Sequence, residues 1–173
     1  MRPLLFLDVD GTLLPAGGAL KPATLDDWYA IWQNPSNPQL AKIDRAHGPR
    51  LLALPADLIW ATAWMTDANL VIGPILGLPA LPVTDCGELP ELDDPIWTEH
   101  DENAALNWKT RGVVALAAGR PFAWVDDELT QADRRWVAEH HPGPALLHRV
   151  DSTSGLTDVD MTTVEEWLTS LEP

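Results

Sequence analysis

Along the chain, short apolar runs alternate with stretches whose apolar residues recur every three or four positions. The runs at residues 3–9 (PLLFLDV), 57–62 (DLIWAT), 80–83 (ALPV), 121–126 (PFAWVD) and 145–150 (ALLHRV) lack strict polar–apolar alternation. Such runs read as strands covered on both faces, as in a parallel sheet. Helices are expected at 48–56, 65–77, 102–119, 130–141 and 162–171. The third carries Ala104, Leu106, Val113, Val114 and Leu116 before a stop at Gly119, and the fourth opens on Thr130 as N-cap and halts at Pro142. Strand alternating with helix predicts right-handed crossovers and a doubly wound, Rossmann-like α/β sheet of about five strands, with helices on both faces. There is no repeat, and the 16 prolines are scattered among connections, so residues 1–173 read as one domain.

In open parallel sheets, sites form beyond the carboxyl ends of the strands. The first run ends in Asp8, Val9, Asp10, Gly11 and Thr12, which puts two carboxylates at that edge and not in the core. The second delivers Thr62 there, and the fourth delivers Asp126 and Asp127. Four acids at one edge repel one another unless a cation sits among them. An all-oxygen donor set suits a hard ion, and Mg2+ is the usual choice where a phosphate completes the shell. The lysines are Lys21, Lys42 and Lys109, and Lys109, near the start of a helical stretch, can face the same edge.

Composition narrows the reading. Hydrophobic content of 46% with 21% charged residues is globular, and 173 residues can bury a core without staples. The apolar runs fall well short of a membrane span, and the start of the chain does not read as a secretory signal. The single cysteine, Cys86, cannot form an internal disulfide and reads as a small core filler; this fits a cytoplasmic location. A formal charge of −15 repels phosphate backbones and argues against general nucleic-acid binding. Lys42, Arg45 and Arg50, with His47, form one local basic concentration, read either as a patch steering an anionic substrate or as a solvated connection.

The order of DVDGTL, Thr62, Lys109 and VDDE resembles the four motifs of the haloacid dehalogenase (HAD) superfamily, over residues 6–128. The stretches IWATAWMTDAN, LNWKTRGVVALAAGRPFAWVDDE and ALLHRVD are also similar to small, cap-less actinobacterial members. The resemblance implies a Mg2+-dependent phosphatase acting on a phosphorylated substrate. Asp8 is implied as nucleophile forming an aspartyl-phosphate, and Asp10 as general acid and then base. An Asp at this second position points to phosphotransfer, since the dehalogenase branch lacks it. The implied metal set is Asp8, the Asp10 backbone carbonyl and Asp126, with Asp127 as helper or alternative ligand. Thr62 and Lys109 are implied to bind phosphoryl oxygens, with Lys109 also neutralising Asp8. Gly11 permits close backbone approach, Thr12 follows it in the loop, and Ala63 and Trp64 lie on the substrate side just past Thr62.

Other classes fit less well. A Walker B reading of FAWVDDE lacks its phosphate loop, since no glycine precedes a lysine. A phospho-accepting receiver module shares the acids, Thr and Lys, but there the Lys follows the Thr at the end of the chain. A catalytically degenerate domain that only binds a partner is the remaining alternative. Of the nine tryptophans, Trp60, Trp124, Trp136 and Trp167 read as core, and Trp28 and Trp32 as a packed pair. Trp64 reads equally as core or as a wall of the substrate pocket. His140 and His141 read as dipole partners at a helix end. The intervals 13–59 and 63–108 are too short for a full cap domain, leaving a flap or small lid at about 15–46. An edge that open admits a bulky or polymeric phosphate.

Overall fold

The first strand, β1 (Leu4–Leu7), is buried along its whole length, and the rest of the molecule is arranged around it. This computed structural model describes residues 2–17, 33–87 and 106–171. β1 pairs in parallel with β2 (Asp57–Trp60) on one side and β3 (Phe122–Asp126) on the other, and β4 (Ala145–Arg149) extends the sheet beyond β3. The order is β2-β1-β3-β4, all parallel. In register, Leu7 lies beside Trp60 and Val125, so the ends of β1, β2 and β3 come out together.

Among the described residues five α-helices follow in chain order: α1 (His47–Ala53), α2 (Asp67–Leu76), α3 (Thr110–Ala117), α4 (Gln131–His140) and α5 (Asp158–Ser170). Alternate residues of each strand face opposite layers. Leu5, Leu7, Leu58, Trp60, Ala123 and Val125 pack with Leu51 of α1, Ile72 of α2 and Val164 and Leu168 of α5. Leu4, Phe6, Ile59, Phe122 and Trp124 pack with Val113 and Ala117 of α3 and Val137 of α4. The result is a Rossmann-like α/β sandwich, as the pattern of runs predicts. No helix of the described residues is long and apolar enough to cross a membrane.

Several boundaries differ from the sequence reading, each for a local reason. Among the described residues the sheet has four strands and not about five. The run at 80–83 adds only one parallel bridge, Val83 beside Trp60. Pro82 has no N–H to give, and the backbone of Leu81 is bonded instead to the side chain of Asn69, which also accepts from Trp60 Nε1. Within the stretch read as a helix from 102, α3 begins only at Thr110, and residues 102–105 lie outside the described ones. Asn107 captures the backbone N–H of Lys109 with its side chain, a local bond that competes with helix. The last helix starts earlier than residue 162, because Thr157 and Asp160 form a capping box.

Of the flap expected at 15–46, residues 18–32 lie outside the described residues, as do Lys21, Trp28 and Trp32. The part described at 33–46 includes a short 3-10 helix, Pro38–Lys42, and Leu40 and Ile43 are buried in the core. Burial works against the charged form of His141 that a dipole partner requires. Its ring is buried edge-on against Phe122, and that burial pulls its pKa below the usual range. His140 does reach the helix end, with Nδ1 2.8 Å from the Trp136 carbonyl.

Burial opposes the charge on Asp160, but hydrogen bonds from Thr157 and His148 outweigh it and hold its pKa below the usual carboxylate range. The ionised carboxylate therefore stabilises the folded chain above its unfolded pKa of about 4, and that contribution is lost as pH falls through the lower folded value. Urea denaturation should show Asp160→Asn less stable than the parent at about pH 7, with the gap closing by about pH 3.

Candidate functional site

The strand order reverses around β1. The chain leaves β1 for β2 on one side and later returns to β3 on the other, so a switch point lies between the ends of β1 and β3. Asp8 follows β1 directly and Asp126 is the last residue of β3. The Asp8 N–H donates to the Val125 carbonyl at 3.2 Å, which fastens the two strand ends together. After Asp8 the chain turns sharply: Thr12 and Leu14 donate backbone N–H groups to the Val9 carbonyl, and Gly11 donates to Leu14. Gly11 sits at φ 80°, and a Cβ there would lie 2.3 Å from Asp127 Oδ2. Only glycine lets this turn close over the Asp127 carboxylate.

Asp8, Asp126 and Asp127 are all buried, and each brings a carboxylate oxygen within 4.8 Å of the others. Lys109, itself only 4% exposed, reaches in from the residue preceding α3. Its Nζ lies 2.6 Å from Asp8 Oδ1 and 2.7 Å from Asp126 Oδ2. Thr12 Oγ1 donates to Asp8 Oδ2 at 3.1 Å, and the Glu128 N–H donates to Asp126 Oδ1 at 2.8 Å. Three of the four acids named from the sequence, Asp8, Asp126 and Asp127, thus converge, and Lys109 lies among them.

Burial pushes the Asp8 carboxyl up to about 8 against the pull of the Lys109 ammonium, with Asp126 and Asp10 adding to the rise. Burial also raises Asp126. Lys109 is penalised by burial too, yet the carboxylates of Asp126 and Asp8 outweigh that and hold its ammonium well above the usual range. Three carboxylates therefore face one ammonium in a region nearly closed to water. A small hard cation fits this donor set, since all three acids offer oxygen and the missing Gly11 Cβ keeps the approach to Asp127 clear.

The remaining candidates divide. The Asp10 carboxylate lies outside the three-acid group and accepts the Trp64 indole N–H at 2.9 Å. Thr62 and Ala63 are buried just past β2, and Thr62 Oγ1 accepts the Trp64 backbone N–H. The Trp64 ring is 1% exposed and belongs to the core, so what it presents to the site is an N–H and not a wall. Next to it Met65 adopts φ 47°, a left-handed conformation that costs a non-glycine residue about 1–3 kcal/mol. Burial pushes the Cys86 thiol up to about 11, which disfavours the thiolate a nucleophile needs, and the residue is half-buried and outside the core clusters.

Two supports escaped sequence reading. Asp133, fully buried, accepts from the Asn107 N–H at 2.8 Å and from the Thr110 hydroxyl, while its other oxygen accepts from Thr130. One carboxylate so caps α4 and sets the turn that presents Lys109. The TQAD stretch carries the signal, but its second bonding partner is 26 residues away. Arg149, at the end of β4, donates Nε to the Asp127 carbonyl at 3.0 Å. The basic concentration read at 42–50 is split: Arg50 pairs with Asp158 of α5, and Lys42 Nζ donates to the Ala16 carbonyl at 3.3 Å.

Comparison of the chain with models of protein families, with curated proteins and with solved structures found no match.

Removing Lys109 leaves two buried carboxylates without their cation, a change that costs about 3–5 kcal/mol. Lys109→Met should lose stability on that scale in urea denaturation without added metal. Adding Asp8→Asn should recover part of the loss, and additive losses would show that the pair is not coupled.

Proposed function

We propose that the chain is a Mg2+-dependent phosphatase of the haloacid dehalogenase type, hydrolysing phosphomonoesters through an aspartyl-phosphate on Asp8. The observation that carries this reading is the grip of Lys109 on Asp8 and Asp126 at the end of β1, with Asp127 alongside. That arrangement supplies a nucleophilic carboxylate, a fixed positive charge and oxygen donors for a hard cation within one crevice. The DVDGTL motif makes phosphoryl transfer the best-supported use of it.

In this mechanism an Asp8 carboxylate oxygen bonds to phosphorus as the bond to the leaving oxygen breaks, and Asp10 gives its proton to that oxygen. Water then attacks the phosphorus and gives its proton to Asp10, and the Asp8–phosphorus bond breaks to release phosphate. The Trp64 N–H holds the Asp10 carboxyl in one orientation. The Thr12 hydroxyl and the Lys109 ammonium orient Asp8, and Lys109 offsets charge on the phosphoryl group. Asp8, Asp126 and Asp127, with the Asp10 carbonyl, would hold Mg2+, which when bound neutralises phosphoryl charge and lets the anion approach Asp8. Thr62, buried beside the same edge, is a candidate donor to a phosphoryl oxygen.

Phosphate release from aryl phosphates should require Mg2+ and stop with excess EDTA. Asp8→Asn should abolish turnover and phosphoenzyme together, whereas Asp10→Asn should slow turnover by about 100- to 10,000-fold with Asp8 still in place. Full activity in chelator, or in Asp8→Asn, overturns the reading. A phosphoenzyme that forms but never turns over in the parent chain identifies a receiver-like module instead.

A further inference from the structure

Next to the acids, and sharing Asp127 with them, lies a cavity of about 470 Å3 between the ends of β3 and β4. Its lining is Asp127, Arg149, Val150, Asp151, Ser152 and Thr153. We propose that this cavity receives the leaving-group side of the substrate and that Arg149 binds a second oxyanion there, a carboxylate or a second phosphate. The inference rests on the phosphatase reading for what occupies the neighbouring acid cluster.

The volume falls within the range of small-molecule sites. The wall opposite the strands is tied to the nucleophile loop. Ala16 and Gly17 donate N–H groups to the carbonyls of Ser152 and Thr153 at 2.8 and 3.1 Å, and the Leu156 N–H donates to the Thr12 carbonyl at 2.8 Å. Gly155 makes that approach possible, because a Cβ there would lie 2.6 Å from the Thr12 carbonyl oxygen. The cavity is therefore held at a fixed offset from Asp8, as a tail-binding subsite requires.

Arg149 supplies its chemistry. Its Nε is spent on the Asp127 carbonyl, which aligns the guanidinium plane, and its two terminal amino groups have no ion-pair partner among the described residues. Arg50 is committed to Asp158, Arg120 to Asp57 and Lys109 to Asp8 and Asp126; Arg45, Arg111 and Arg135 also lack an ion pair among the described residues, but none of them lines this cavity. In a chain with 26 acidic and 11 basic residues, an arginine left open beside a cavity selects for an anion. The acids on the lining are Asp127, which belongs to the metal-binding group, and Asp151, whose Oδ1 accepts the Thr153 N–H within its own turn. The Ser152 and Thr153 hydroxyls are available as further donors.

The test compares kcat/KM with Mg2+ for four esters of similar size: phosphoglycolate, ethylene glycol bisphosphate, 2-hydroxyethyl phosphate and phosphoethanolamine. The parent chain should favour the first two over the neutral third, and the stronger of the two identifies carboxylate or phosphate as the group held. In Arg149→Met the anionic-to-neutral ratio should fall by about 10- to 100-fold, mainly through KM, and Arg149→Lys should restore part of it. Taking the ratio cancels any general loss from the broken Arg149–Asp127 bond. In parallel, calorimetry compares phosphonoacetate with methylphosphonate on the parent chain and on Arg149→Met. Hydrolysis with no preference for anionic tails, with a ratio unmoved by Arg149→Met, or with preference for phosphoethanolamine overturns the subsite and leaves the phosphatase standing. No hydrolysis of any ester, but phosphonoacetate binding that Arg149→Met weakens, overturns the phosphatase and keeps the oxyanion subsite. Absence of both overturns both.

Discussion

Lys109 sits between Asp8 and Asp126 in a region almost closed to water, and the carboxyl edge of the sheet is organised around that contact. Any one of these charges buried alone would be costly, because burial penalises an ion by several kcal/mol. Together they are tolerable only in a fixed geometry, and the neighbouring structure supplies it. Thr12 and the Glu128 N–H take the outer oxygens of the two carboxylates. Asn107 and Asp133 set the turn that delivers the lysine.

Part of the local irregularity of the backbone lies beside that contact. The chain turns at Gly11 under the Asp127 carboxylate, bends through a left-handed Met65 just past Thr62, and presses Gly155 against the Thr12 carbonyl. Each is a departure from regular backbone, and each lies beside the acids or in a loop bonded to them. The amino ends of β3 and β4 hold a second group, where Ala118 and Gly119 are left-handed and a Cβ on Gly143 would lie 2.4 Å from the Gly119 carbonyl oxygen. Strain of this kind persists where surrounding packing over-determines it, and the two apolar layers on either face of the sheet provide that packing.

The acid group and the cavity beside it form one continuous edge with two electrostatic characters. Around Asp8 the excess is negative and calls for a cation. Beside it, the cavity lining sets one cation, Arg149, near the carboxylates of Asp127 and Asp151. A net charge of −15 repels polyanions at long range, so an anion held at this edge would depend on local pairing.

The sequence by itself determined the layer architecture and the chemical types at the edge. Uninterrupted apolar runs have no exposed face, so they demand a parallel sheet covered by helices on both sides, and Asp8, Asp10, Asp126 and Asp127 follow directly on such runs. Thr130 and Gly11 were readable for the same reason, since capping and tight turns act over three or four residues. Tertiary structure decided whatever depends on partners remote in the chain. The short run at 80–83 reads as a strand until the Asn69 side chain takes the Leu81 backbone groups. Lys109 reads as near the start of a long helix until Asn107 and Asp133 move that start to Thr110. Trp64 reads equally as wall or core until its ring is buried and its N–H meets Asp10, 54 residues away. Arg149, which the sequence does not single out, is aimed by its Nε bond to the Asp127 carbonyl, 22 residues away. In each case the deciding bond joins residues far apart in sequence, whereas periodicity and capping report only on neighbours within a turn or two.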